Sequence, residues 1–332
     1  MKITNLIENV EINFIEDFAN DILIGLSSKV KSIPSKYFYD QKGSQLFQKI
    51  TSQNEYYLTR KEFEILEKES TNIAMALEED EIDLIELGAG DGHKSILLIN
   101  GLINKGKKVN YYPIDISKEA LIQLDQNIKP SSQLKIHGVV GEYISALKHL
   151  KSISTNRKLV LFLGSNIGNF DRTQNQIFFK KLWKNMNDSD YLLTGFDLKK
   201  SPEIMNSAYN DSEGFTADFN INLLTRINKE LGGEFKEELF EHYGSYNPIL
   251  GAMESFLISK ITQSVFIKSL NRTFFFEENE PIHLEYSFKF SSTDIQYLAK
   301  ETGCSVIKDY KDKDNYFTDS LWQIKKETKD EQ

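Results

Sequence analysis

From residue 83 onward, short apolar runs alternate with stretches of helical spacing. The runs fall at 84–87, 109–114, 136–140, 159–163 and 191–196. Strands at that rhythm, with helices between them, predict βαβ units and a mostly parallel, doubly wound sheet. Ahead of them, a mostly polar helical stretch opens the chain. Residues 31–40 read as a loop around Pro34, and 47–50 and 60–70 look helical. Between 199 and 292 the rhythm breaks, with a helix near 216–231 and strand-like stretches at 256–261, 265–267 and 282–290. A helix at 293–302, Gly303 and two strands at 305–308 and 320–324 close the pattern, and the charged end 325–332 is expected to fray. The simplest partition is an α/β core at 61–198 plus 293–332. It is interrupted by a second, α+β domain made of 1–60 plus 199–292.

The first run empties into Gly88-Ala-Gly-Asp-Gly-His-Lys94, and helical spacing follows. Glycines there let the backbone turn sharply and let a ligand approach the amides at the positive end of a helix. A dinucleotide fingerprint needs glycine at the first, third and sixth positions. Counted from Gly88, the sixth is His93, so the NAD pattern fails. An acid, Glu86, just before Gly88-x-Gly90-x-Gly92 suits S-adenosylmethionine better, because that ligand has no pyrophosphate to cradle. Asp115 ends the second strand, 115 − 88 = 27 positions on, where an acid can bind ribose hydroxyls. The competing account is a glycine-rich turn with an ordinary exposed aspartate.

Composition narrows the classes. With 332 residues, 40% hydrophobic and 12% aromatic, the chain can build a sizeable core in one or two domains. A net charge of −9 and a pI near 5.3 argue against a nucleic-acid partner. One cysteine, Cys304, excludes an internal disulfide and a thiolate zinc site, and five scattered histidines form no metal motif, so no metal is expected. The N-terminus lacks an apolar signal core, and no segment has the length to span a membrane. The expectation is a cytoplasmic monomer without a membrane partner.

Longer motifs carry a resemblance. They are Lys31-Ser-Ile-Pro-Ser-Lys-Tyr-Phe-Tyr-Asp40, Gly43-Ser44 with Leu46-Phe47, and Glu55-Tyr-Tyr-Leu-Thr-Arg60. Phe162-Leu-Gly-Ser-Asn-Ile-Gly-Asn169, Ala208-Tyr-Asn-Asp211, Gly214-Phe-Thr-Ala-Asp-Phe-Asn220 and Glu285-Tyr-Ser-Phe-Lys-Phe290 follow in order. Together, over roughly residues 30 to 325, they resemble the histidine-specific α-N-methyltransferases of ergothioneine biosynthesis. The resemblance implies a class I S-adenosylmethionine methyltransferase core, Rossmann-like, with a separate substrate-binding domain. It implies methylation of the α-amine of L-histidine up to the trimethylated betaine. Another α-amino acid or a biogenic amine is the alternative substrate.

Methyl transfer from a sulfonium is an in-line displacement whose reactive group belongs to the cofactor, so the protein mainly positions. An α-amine with a pKa near 8 is roughly one-tenth neutral at pH 7, and no strong base is required. Asn169, at the end of the fourth parallel strand, can donate to a carboxylate and accept from an ammonium. It can equally shape the turn after Gly168. The resemblance makes it the carboxylate ligand, assisted by Tyr209. It also makes Tyr39 and Tyr56 the lining of the amine and ring, with Tyr39 as the catalytic position, and Phe47 an apolar wall. Glu285 and Ser287 alternate with Leu284, Tyr286 and Phe288, so they share one strand face. By resemblance they grip the imidazole, and such a site rejects side chains lacking a ring N–H. On the cofactor side the resemblance places Gly88 and Lys94 near the methionine end, Asp115 at the ribose, and Glu142 and Tyr143 beside the adenine, with Gly90 in the turn. It also aligns Ser255 with a methionine that shapes the substrate pocket.

Overall fold

The computed structural model describes residues 1–6, 14–90 and 92–326. Asp91 of the glycine turn and 327–332 of the charged end lie outside the described residues. From the N-terminus run β1 (Lys2–Asn5), α1 (Phe14–Ser27), α2 (Gln41–Thr51) and α3 (Tyr57–Met75). The alternating stretch is β2 (Glu81–Leu87), α4 (Ser95–Asn104), β3 (Lys108–Asp115), α5 (Lys118–Asn127), β4 (Leu134–Val140), α6 (Tyr143–Ile153), β5 (Arg157–Phe162), α7 (Arg172–Asn185) and β6 (Tyr191–Asp197). Next come α8 (Pro202–Ala208), α9 (Phe215–Leu231), β7 (Phe240–Asn247), β8 (Ala252–Ser259), β9 (Gln263–Ile267), β10 (Arg272–Phe276) and β11 (Pro281–Phe288). The last elements are α10 (Ser292–Glu301), β12 (Cys304–Lys311) and β13 (Phe317–Ile324).

Two compact units form from these elements. The first comprises 1–11, 58–199 and 290–332, and the second 12–57 and 200–289. The first unit holds one eight-stranded sheet in the order β1-β4-β3-β2-β5-β6-β13-β12. Six strands, β1 to β6, run parallel, and β13 pairs antiparallel with both β6 and β12. Strands covered on both faces read as continuous apolar runs, which is why β2 and β6 are buried almost end to end. The strand order reverses at β2, with β3 and β4 on one side and β5 and β6 on the other. In such sheets ligands collect beyond the carboxyl ends of the strands at that reversal. The glycine turn occupies that place.

β1 corrects one expectation. The opening residues form a strand, not a helix, pairing Lys2 with His137 of β4, and they belong to the sheet unit. A four-residue edge strand shows too little alternation to be read. Its amine is also tied down, 2.9 Å from the Asp125 carboxylate.

The second unit buries Phe18, Ile22, Leu224, Leu257 and Ile282 completely in one core fed by α1, α9 and the strands. Its three-stranded antiparallel sheet has the order β11-β8-β7, and β9 and β10 form a separate hairpin. β7 and β10 do not show in the sequence pattern, since Phe240–Asn247 has few apolar positions to alternate. The loop over 31–40 ends at Asp40, which caps α2: its Oδ1 accepts from the Gly43 N–H at 2.7 Å. A Cβ on Gly43 would lie 1.8 Å from the Phe38 carbonyl oxygen, so only glycine fits this turn. The Asn222 amide of α9 donates to the same Asp40 oxygen at 2.8 Å, fastening α2 to α9.

Candidate active site

In the first unit, Gly88, Gly90 and Gly92 all have positive φ, at 75°, 54° and 74°. That is backbone which side-chain-bearing residues rarely adopt. The Gly88 N–H donates to the Ile114 carbonyl at 2.9 Å, stitching the turn to β3. A Cβ on Gly88 would lie 2.8 Å from the Tyr143 Oη, while one on Gly90 would meet nothing within 4 Å. The turn is thus crowded on one side and open at Gly90, as a cradle for a ligand requires. Asp115 at the end of β3 accepts from the Ser117 N–H at 2.9 Å. Burial raises its carboxyl above the usual range, opposed by backbone N–H groups from Ser117, Gly90 and Ile116. Burial, with the Asp115 charge, pushes the Tyr143 phenol up to about 12, so it is a neutral donor at physiological pH. Its ring stands edge-on to Phe162 at 6.1 Å. Gly88, Gly90, Asp115 and Tyr143 therefore come together in one place. Glu142 precedes Tyr143 as the exposed N-cap of α6.

Lys94 is bound to a partner the sequence did not suggest. Its ammonium pairs with Glu62 of α3, whose side chain is completely buried. Against the cost of burial, the Glu62 charge holds that ammonium above its usual pKa. The other Glu62 oxygen accepts from the Gly164 N–H at 2.7 Å. One carboxylate thus ties the start of α4 to the turn after β5. Glu86, 3% exposed, accepts from Ser95 at 2.5 Å and from Tyr111. Burial lifts it to about 7 in spite of both donors.

Asn169 does not end a strand. β5 stops at Phe162, and Asn169 closes a short 3-10 turn over Asn166–Asn169, 169 − 162 = 7 residues later. Gly164 and Ser165 have φ of 80° and 56°, and this left-handed pair takes the chain off the sheet before Asn169 is reached. The turn is fixed by the Asp197 N–H donating to Ser165 Oγ at 3.1 Å.

The second unit gathers the other candidates in two groups. Tyr39, Phe47 and Tyr56 cluster around Phe219 of α9. Tyr39 lies edge-on to Phe47 at 5.5 Å and to Phe219 at 5.6 Å, and Phe47 lies edge-on to Tyr56 at 6.2 Å. The second group is polar. Tyr209 Oη lies 2.6 Å from Ser287 Oγ, and the Lys289 ammonium donates to both at 2.9 Å. These three residues are at most 8% exposed. Tyr209 is held from behind by the His242 Nε2–H, which donates to its carbonyl at 2.9 Å. Burial pushes the Glu285 carboxyl up to about 7, although the nearby Lys289 charge opposes the shift.

Strand register corrects the alternation read at 284–288. A bulge between His283 and Glu285 sets Glu285 opposite Ser255, one step out of phase with His283 and Phe256. Leu284 accordingly belongs to the unit's core. Tyr286 instead packs 4.1 Å from His283 and 5.5 Å from Phe288, ring to ring. Lys289 and Glu62 are the two residues that sequence reasoning passed over. Lys289 had a signal, since it continues the i, i+2, i+4 series of Glu285 and Ser287, whereas Glu62 had none.

A parallel sheet reversing at β2, an antiparallel β13, a glycine turn and an acid closing the next strand define a class I S-adenosylmethionine-dependent methyltransferase. Within that class, the chain belongs to the family of histidine-specific, S-adenosylmethionine-dependent methyltransferases, whose profile matches residues 18–324. It is 34% identical over 303 residues to the histidine N-alpha-methyltransferase of Mycobacterium tuberculosis, covering 91% of this chain and 93% of that protein. It is 30% identical to ergothioneine biosynthesis protein 1 of Neurospora crassa, over 84% of this chain and 32% of that protein. It is 26% identical to a 4-dimethylallyltryptophan N-methyltransferase of Arthroderma benhamiae, over 90% of each. Among the described residues, no helix is long and apolar enough to cross a membrane.

Proposed function

We propose that this chain methylates the α-amine of L-histidine, up to the trimethylated betaine, as an early step toward ergothioneine. In this reading the sheet unit is the methyltransferase core and the other unit binds substrate. The observation that carries the substrate assignment is Glu285. Two residues apart on one strand, its carboxyl and the buried Ser287 hydroxyl offer two hydrogen-bonding groups, as the two nitrogens of an imidazole need.

When bound, S-adenosylmethionine supplies an electrophilic methyl on a sulfonium. Gly88 and Gly90 present backbone to it, Asp115 takes the ribose hydroxyls, Glu142 and Tyr143 flank the adenine, and Lys94 serves the methionine end. Asn169 takes the substrate carboxylate, while the Tyr209 phenol, whose one proton goes to Ser287, acts on the substrate through that hydroxyl. Glu285 and Ser287 hold the imidazole, and Tyr56 and Phe47 wall the ring. Tyr39, 48% exposed, orients the amine. Tyrosine faces can shelter the permanent cation that the third methylation creates. The negative net charge supports a small-molecule substrate without nucleic acid, and we take the protein to act as a cytoplasmic monomer.

Calorimetry with histidine in the presence of S-adenosylhomocysteine, followed by mass analysis of turnover products, tests the assignment. The expected result is histidine carrying up to three added methyls. Glu285→Ala should weaken histidine binding by roughly 100-fold or more while leaving cofactor affinity unchanged. A second reading, methylation of another α-amino acid or a biogenic amine, is favoured by Ser255. It is 4% exposed and stands opposite Glu285 in the strand pair, at a position the resemblance gives to methionine. Mass gain on another amine and none on histidine would decide for it.

A further inference from the structure

Lys289 has no part in the reading above, yet it is the most deeply buried member of the polar group, at 3% exposure. A lysine ammonium has donors only. Both hydroxyls 2.9 Å away, on Tyr209 and Ser287, must therefore accept from it. A single proton can lie on the 2.6 Å line between those hydroxyls. The phenol is the more acidic, and the ammonium 4.7 Å from its ring centroid strengthens it further as a donor. Tyr209 therefore donates to Ser287. Ser287 Oγ then accepts twice, from tyrosine and from lysine, and both its lone pairs are used. Neither of those partners can take its own proton, which is left for a third group.

We propose that Lys289 is a specificity-determining positioning residue that makes Ser287 an obligate donor. The side chain of the substrate must then offer an acceptor nitrogen to Ser287 and an N–H to Glu285. This inference rests on the reading that Glu285 and Ser287 hold the substrate ring. The class selected is a neutral heterocycle with one acceptor and one donor nitrogen. A pyrrole, which has the N–H but carbon in place of the acceptor, leaves the Ser287 proton buried and unpaired, and a buried unpaired donor is costly. Without Lys289, Ser287 can turn its proton to the Tyr209 oxygen, and that penalty disappears.

The test is the ratio of affinities for histidine and pyrrolylalanine, by calorimetry in the presence of S-adenosylhomocysteine. The wild type should favour histidine by on the order of 100-fold. Lys289→Met should bring the ratio to within about 10-fold of parity, because the freed acceptor position removes the penalty. Its affinity for S-adenosylhomocysteine should stay unchanged, and Lys289→Arg should retain most of the discrimination. A general loss of structure would weaken both ligands and leave the ratio alone. A wild type that does not separate the ligands, or a folded Lys289→Met variant with the wild-type ratio, overturns the proposal. If Lys289→Met does not fold, Ser287→Ala removes the donor itself, and an unchanged ratio there overturns it equally. A wild type that binds neither ligand but methylates another amine fails the histidine reading instead.

Discussion

Glu86 sits 3% exposed at the end of β2, and burial lifts it from an ordinary 4.5 to about 7. A carboxyl with a raised folded pKa holds its proton more tightly when folded than when unfolded. It favours the fold fully below about 4.5, and that contribution is lost as pH rises through about 7. The displacement corresponds to about 3 kcal/mol. Urea denaturation from pH 5 to 8 should therefore show wild type losing up to that much more stability than Glu86→Gln. Superimposable curves would refute the assignment. The glycines offer a contrast at the same scale. Alanine at Gly88 or Gly90 costs about 1–2 kcal/mol for left-handed backbone, but only at Gly88 does the new methyl also meet Tyr143. Gly88→Ala should therefore lose more fold stability by denaturation, whereas Gly90→Ala, whose methyl enters the open cradle, should lose more cofactor affinity by calorimetry. The opposite order would refute the cradle. The turn and Asp115 were legible because local spacing carries their chemistry. The Glu62–Lys94 pair, 32 residues apart, was not, since only the fold brings those groups together.

At the scale of elements, what the sequence shows depends on how completely an element is buried. β2, β5 and β6 are covered on both faces, so their apolar runs stand out. β1 is a four-residue edge, β7 is half polar, and the β11 bulge inserts a phase shift that simple alternation cannot reveal. α2 is short as well, and its stability depends on contacts at its start. Asp40 both caps it and accepts from Asn222 of α9, and α2 carries Phe47 into the aromatic cluster. Asp40→Ala should cost about 1–3 kcal/mol, a lost cap plus an unpaired amide, whereas Asp40→Asn should keep most of it. Denaturation midpoints measure this, and equal midpoints for both variants would contradict it.

For the whole molecule, the discontinuous build of the sheet unit has a consequence that a single thiol can report. The unit draws its last two strands from the far end of the chain, and Cys304 begins the outermost, β12. The thiol is 7% exposed and burial pushes its pKa up to about 11, so in the folded state it is a poor nucleophile. Labelling must wait for opening, either local fraying of the edge or loss of the whole sheet. A ligand that binds only the folded unit suppresses the second route and leaves the first untouched. At 100 times its dissociation constant that suppression is about 2.7 kcal/mol, or roughly 100-fold in rate. In moderate urea, where global opening dominates, S-adenosylhomocysteine should slow Cys304 labelling by about that factor. Histidine alone should do so less, because most of the residues assigned to it lie in the other unit. Labelling in urea that ignores the cofactor would mean that the sheet unit does not hold it. Slowing that vanishes only without urea would instead identify β12 as an edge that frays by itself.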